Sequence, residues 1–349
     1  MYSKLITSAF HVSAVIVLTW HGRQAYGESS SYSNANRGIF AFPREAALGG
    51  ADIAFSADAS PQCNPAAIAL DSISRLDVSY AGYYDNALST SMVSYAAQAP
   101  GNSGVGILLG YLYVPDIVIT TGLDQDESGN PVWDPSRLRY TSASDVVASV
   151  LYGKQLISRR DFRFSAGGRL HGLRRKLPGD IGYGIGLDAG AVASIPRLNL
   201  RLSLVVDDVT TNYIYWNSSY NDLSLPSVRL GAGWRKDAPY FYGQFTIVYA
   251  TPDVLGRDRV WLVWNGNDRE IEMAEDGDMR DGLVSFAFLG HYGIEYLIRN
   301  SVALRGGFSA GRFSFGGGVR IFSSALCVDF CYTTSELAGS YAVSVGYRW

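Results

Sequence analysis

The closing nine residues, Tyr341-Ala342-Val343-Ser344-Val345-Gly346-Tyr347-Arg348-Trp349, alternate large apolar side chains with small or polar ones without a break. Side chains change face at every residue of a strand, so Tyr341, Val343, Val345, Tyr347 and Trp349 share one face and Ala342, Ser344, Gly346 and Arg348 the other. A strand that is oily on one side, wet on the other and closed by an aromatic suits a sheet whose outside meets lipid and whose inside meets water. The pattern recurs upstream. Leu198, Leu200, Leu202, Leu204 and Val206 oppose Asn199, Arg201, Ser203 and Asp207, and Phe313, Phe315, Val319 and Ile321 oppose Arg312, Ser314 and Arg320.

From Leu76 onward the alternation predicts strands near 76–84, 90–97, 103–113, 145–153, 162–174, 183–192, 198–208, 227–235, 240–249, 284–298, 301–308, 312–321, 325–333 and 339–349. The connections sort by length. Short ones follow the even-numbered strands, and the long ones, about 114–144, 209–226 and 250–283, follow odd-numbered strands, as expected when short turns are periplasmic and long loops extracellular. The expected fold is therefore all-β: a transmembrane antiparallel β-barrel of about 14 strands. The stretch Val260-Trp261-Leu262-Val263-Trp264 could add a strand or a loop hairpin, which leaves 12 or 16 strands open.

Met1-Tyr2-Ser3-Lys4, the apolar run from Leu5 to Trp20 and the small residues around Ala25-Tyr26-Gly27 read as an export signal. The expected organisation is a signal peptide at 1–27, an N-terminal segment at 28–75 and a barrel at 76–349, in the bacterial outer membrane. Hydrophobic residues make up 47% of the chain, yet downstream of the signal no run reaches the ~18 apolar residues that a spanning helix needs. The 23 tyrosines fit aromatic girdles at two membrane interfaces, and the 38 glycines fit close packing in a curved sheet. A net charge of −3 offers no basic surface to nucleic acid. Cys327 and Cys331 share one predicted strand about 13 Å apart, too far for a disulfide. No zinc motif is visible, and neither metal nor cofactor is expected.

Residues 42–70 read FPREAALGGADIAFSADASPQCNPAAIAL. Arg44, Leu48-Gly49-Gly50-Ala51, Asp58-Ala59-Ser60 and Asn64-Pro65-Ala66 in this stretch resemble the N-terminal signature of the FadL-like outer-membrane transporters and the related PorV/PorQ and UPF0164 proteins. Gly293-Ile294-Glu295-Tyr296, Ala303-Leu304-Arg305-Gly306-Gly307-Phe308, Phe313-Ser314-Phe315-Gly316 and Val328-Asp329-Phe330 look like the last strands of that family. Two departures stand out: Ala57 where a second Asp is usual, and Ala67 where a Gly usually follows Asn-Pro-Ala. The resemblance implies a small plug inside a 14-stranded barrel, with Gly49, Gly50, Asp58, Asn64, Pro65 and Ala66 as candidates for holding or gating it.

The face assignment directs Arg163, Arg169, Arg201, Arg229, Arg235, Glu295, Arg305, Arg320, Asp329 and Arg348 into the lumen. Such a set serves either as an ion-pair network or, in part, as anchors for a ligand carboxylate. Glu295, Arg305, Arg320 and Asp329, on neighbouring strands, are the expected paired set, with Arg201, Arg229 and Arg348 as further candidates. His171 and His291 also point inward, away from any motif for nucleophilic catalysis, so no enzyme activity is expected. The resemblance implies transport of long-chain fatty acids or other hydrophobic small molecules. Its alternative is a PorV-like role in binding exported proteins during type IX-like secretion. Expected partners are outer-membrane lipids, a hydrophobic ligand such as a fatty acid, and the assembly machinery acting through the C-terminal strand, with the barrel as a monomer.

Overall fold

The computed structural model describes residues 39–55, 63–70, 74–119, 138–210, 212–218, 221–224, 226–251, 253–255, 290–309, 311–335 and 338–349. Strands follow in the order β1 (Arg75–Tyr83), β2 (Leu88–Ala99), β3 (Ser103–Ile119), β4 (Arg139–Ser158), β5 (Arg163–Leu177), β6 (Asp180–Ile195), β7 (Leu200–Asp207), β8 (Asn212–Trp216) and β9 (Asn221–Ser224). They continue with β10 (Ser227–Ala238), β11 (Gly243–Ala250), β12 (His291–Ile298), β13 (Val302–Ser309), β14 (Arg312–Ile321), β15 (Leu326–Thr333) and β16 (Ser340–Arg348). Consecutive strands pair antiparallel from β1 to β7 and from β10 to β16, β7 pairs with β10, β8 pairs with β6 and β9, and β1 pairs with β16 through Val78 and Val345. The result is a closed ring of 14 strands with no free edge in lipid.

Closure and alternation together set the two surfaces. Val78, Ile107, Val150, Ile185, Phe315 and Val345 are among the large apolar residues exposed on the outer wall. Their sequence neighbours Asp77, Gly106, Ser149, Gly184, Ser314 and Ser344 face inward. Turns at 100–102, 159–162, 196–199, 239–242, 299–301 and 322–325 lie at one end, the periplasmic end by their length, while β3 and β11 end, and β4 and β12 begin, at the other. Trp349 stacks on Tyr95 and Tyr347 at the periplasmic rim, with ring centroids 6.1 and 5.7 Å away.

Several strands outrun the sequence reading. β3 continues to Ile119 because Pro115 falls in a bulge, where the register shifts between Val114 and Ile117 and no ladder hydrogen bond is required of the proline nitrogen. The stretch 209–226, expected as a loop, contains β8 and β9. β7 leaves β6 at Ala189↔Val206, and β8 resumes against the same strand at Ile185↔Tyr213, so β8 prolongs β7 past a bulge and β9 returns to β10. The Val260–Trp264 run and residues 284–289 of the predicted tenth strand lie outside the described residues, as does the signal segment.

The described N-terminal residues sit inside the ring. Helix α1 (Pro43–Ala47) starts on a proline at its first position and ends at Gly49 and Gly50, both with positive φ (65° and 76°), whose N–H groups donate to Ala46 O and Glu45 O. A 3-10 helix, Pro65–Leu70, packs against the inner faces of β2 to β6, and α1 packs against β13 to β16. Glycines in the wall make this possible. A Cβ on Gly307 would lie 2.3 Å from Gly49 N, and one on Gly167 would lie 2.6 Å from the Pro65 carbonyl.

Candidate functional site

Where this segment meets the wall, three sets of side chains converge. In the first, Arg44 of α1 makes a two-pronged contact with Glu295 of β12, Nε to Oε2 at 2.9 Å and Nη2 to Oε1 at 3.1 Å, and Nη1 also donates to Asp52. Arg305 of β13 donates from Nε to the same Glu295 Oε2 at 2.6 Å and from Nη1 to Asp329 Oδ1 of β15 at 2.6 Å. Adjacent antiparallel strands place Glu295 opposite Arg305 in register, so the wall presents a prepared acid–base pair and α1 supplies the second guanidinium. Arg44, Asp52 and Glu295 are almost wholly buried, where charges persist only when compensated. Three of the four residues of the expected set, Glu295, Arg305 and Asp329, are thus brought together. Arg320 is instead found at the periplasmic rim, where Nη1 donates to Asn300 Oδ1 at 3.2 Å; Arg44 and Asp52 complete the cluster. In the sequence Arg44 is marked only by its place in the N-terminal motif.

Replacing Glu295 with alanine leaves Arg44 and Arg305 crowded together without their shared carboxylate. The variant is expected to lose about 3–5 kcal/mol of stability. This should be visible as a lower temperature of conversion from the compact to the unfolded band in heated detergent gels.

Asn64 organises the second set. Its Oδ1 accepts the Ala66 N–H at 3.0 Å, which closes the turn into Pro65–Leu70, and its Nδ2 donates to Ile53 O at 3.1 Å and Ala191 O at 3.3 Å. One buried amide thus joins the two described parts of the segment to each other and to β6. Ala67 in this turn has no positive φ, and its N–H bonds Asn64 O at 3.1 Å, so the missing glycine costs nothing here. Asp58 and Ala57 lie outside the described residues. His291 faces inward as expected, with Nδ1 2.7 Å from Gly49 O and 2.8 Å from Ser309 Oγ.

The third set surrounds the apolar packing of the segment. Phe42 packs with Met92, Leu108 and Leu151, and Ile53 and Phe55 pack with Val205 and Val248. The Arg201 and Arg235 guanidiniums lie 4.5 and 4.1 Å from the centroid of the Phe55 ring, within cation–π range. Arg229 pairs with Asp207 at 3.0 Å. Arg348 stands opposite Arg75 on β1, and Arg75 Nε lies 3.4 Å from Asp77 Oδ2. Cys327 and Cys331 are free and buried on the inner wall. Burial, with the Glu45 and Asp52 carboxylates acting in the same direction, pushes the Cys63 thiol well above its ordinary value and keeps it neutral.

No protein-family model and no curated protein matches this sequence. Among solved structures, the chain is similar to the Pseudomonas putida toluene transporter TodX, at 11% identity over 88% of this chain and 96% of that one, with a TM-score of 0.48. It is also similar to a Pseudomonas aeruginosa FadL homologue, at 11% identity over 88% and 98%, TM-score 0.44. Acinetobacter baumannii Omp33 is similar at 10% identity over 79% and 99%, TM-score 0.39. These scores describe coarse likeness of barrel shape; the barrel itself is established by the strand pairing above.

Proposed function

We propose that the protein is a transporter of the bacterial outer membrane that passes hydrophobic small molecules, with long-chain fatty acids the first class to test, through a lumen stoppered by its own N-terminal segment. The observation that carries this reading is the occupancy of the lumen by residues 39–55 and 63–70, held to the wall by non-covalent contacts alone: the Arg44–Glu295 pair, the Asn64 amide and two apolar clusters. A closed barrel without such a segment is a water-filled pore. With it, the lumen is narrowed, and the apolar clusters that Phe42 and Phe55 form with wall residues would receive an apolar solute once the segment shifts. Arg201 and Arg235 beside Phe55 supply cations suited to a carboxylate head group.

Transport in this scheme needs the segment to shift. Ala47 Cβ lies over Gly316, whose register partner is Cys331, and Ala47 and Cys331 belong to one packed cluster. Ala47→Cys is expected to form a disulfide with Cys331 under oxidation. Uptake of a labelled long-chain fatty acid into cells or proteoliposomes should then fall at least tenfold and recover on reduction. Full uptake by the oxidised variant would rule out movement of α1 as a step in transport.

A further inference from the structure

We propose that His171 and Asp208, backed by Asp188, form a binding site for one divalent transition-metal ion of the zinc class at the bulge between β7 and β8. His171 stands on β5, Asp188 on β6 and Asp208 directly after β7. All three are buried on the inner side of the wall, with one donor atom of each within 4.8 Å of the others. The imidazole lies between the carboxylates: Nε2 is 3.4 Å from Asp208 Oδ1 and Nδ1 is 3.3 Å from Asp188 Oδ2.

The Nε2–Oδ1 separation is compatible with an ion held between the two atoms. In a tetrahedral zinc site with bonds of about 2.0–2.1 Å, neighbouring ligand atoms are roughly 3.3–3.4 Å apart, which matches the Nε2–Oδ1 edge. The surroundings have the form of an outer shell. Asp188 faces the other ring nitrogen, the arrangement that orients a metal-binding histidine, and is itself held by Arg169 and by the Asp208 N–H at 2.8 Å. Ser224 Oγ donates to the second oxygen of Asp208 at 2.7 Å. Space for the pair comes from Gly186, where a Cβ would lie 2.5 Å from His171 Nε2 and 2.9 Å from Asp208 Oδ1.

Asp188 and Asp207 pair with Arg169 and Arg229, while Asp208 faces the imidazole. Nitrogen and carboxylate donors suit zinc, nickel or copper better than calcium. Bound there, the ion would tie β5 to the strand break where the membrane wall gives way to the β8–β9 hairpin.

The test uses the untagged full-length barrel in detergent, stripped with chelator and titrated with zinc alone. One saturable site is expected by calorimetry, with a raised unfolding temperature. His171→Gln and Asp208→Asn should each weaken binding tenfold or more, while Asp161→Asn, at a periplasmic turn, leaves it unchanged. Cobalt added to the wild-type protein should give the intense visible absorption of a low-coordinate site, a readout independent of whether the variants fold. No saturable zinc binding, zinc binding indifferent to both substitutions, or a cobalt spectrum like that of the free aqueous ion would overturn the proposal. Stabilisation of the cluster by acid but never by zinc would assign the cation to an imidazolium instead and likewise overturn it.

Discussion

A chain lacking Tyr341–Trp349 is expected to fail to enter the membrane as a folded barrel. β16 is hydrogen-bonded on both sides, to β15 through pairs such as Val328↔Val345 and to β1 through Val78↔Val345. Its loss exposes the backbone donors and acceptors of two strand edges to hydrocarbon, where no water satisfies them and each unpaired group costs several kcal/mol. Deletion should abolish heat-modifiable migration and outer-membrane insertion together. Normal insertion of the truncated chain would mean that the ring does not close through β16.

Deleting residues 42–70 is expected to have the second-largest effect, and on function rather than assembly. The strand ring contains none of these residues, so the barrel should still insert. Its lumen, however, loses α1, the Pro65–Leu70 turn and the side chains of both apolar clusters, and the wall glycines that received them then line open space. Single-channel conductance in planar bilayers should rise at least tenfold, while specific fatty-acid uptake falls. Asn64→Ala should act more mildly, since one lost buried hydrogen-bonding group costs about 1–3 kcal/mol. Unchanged conductance would place the segment outside the permeation path. Unchanged fatty-acid uptake with altered retention of a surface protein would favour the PorV-like role.

The strands were legible because period-two alternation is a local signal. One face must meet lipid wherever the strand stands in the ring, so Val343 and Val345, or Phe313 and Phe315, declare their face without reference to any neighbour. The signal fails where lipid ends. Above the membrane both faces are wetted, which is why the upper parts of β3 to β5 and the β8–β9 hairpin escaped a reading based on oily alternation. Pro115 reinforced that error, because only the partner strand reveals that it occupies a bulge.

Partnerships across the lumen were less legible. The inward direction of Glu295, Arg305 and Asp329 could be read from parity, and their register pairing follows once the strands are in order. That Arg44 rather than Arg320 joins them could not be read, because it depends on where a segment 251 residues away in sequence comes to rest. The glycines carried an unread clue: Gly104, Gly153, Gly167 and Gly190 lie on four consecutive strands, and each leaves room for the turn that begins at Asn64.

By itself, then, the sequence determined the all-β ring, its strand order and which face of each strand meets lipid, since those follow from local alternation and the requirement that no edge remain unpaired in a membrane. Only the tertiary structure decided how the lumen is filled and which charges meet. It seats Arg44 on Glu295, lays Phe55 beside Arg201 and Arg235, and gathers His171, Asp188 and Asp208 around Gly186. Such contacts depend on the three-dimensional path of the chain inside the ring, which no pattern of neighbouring residues encodes.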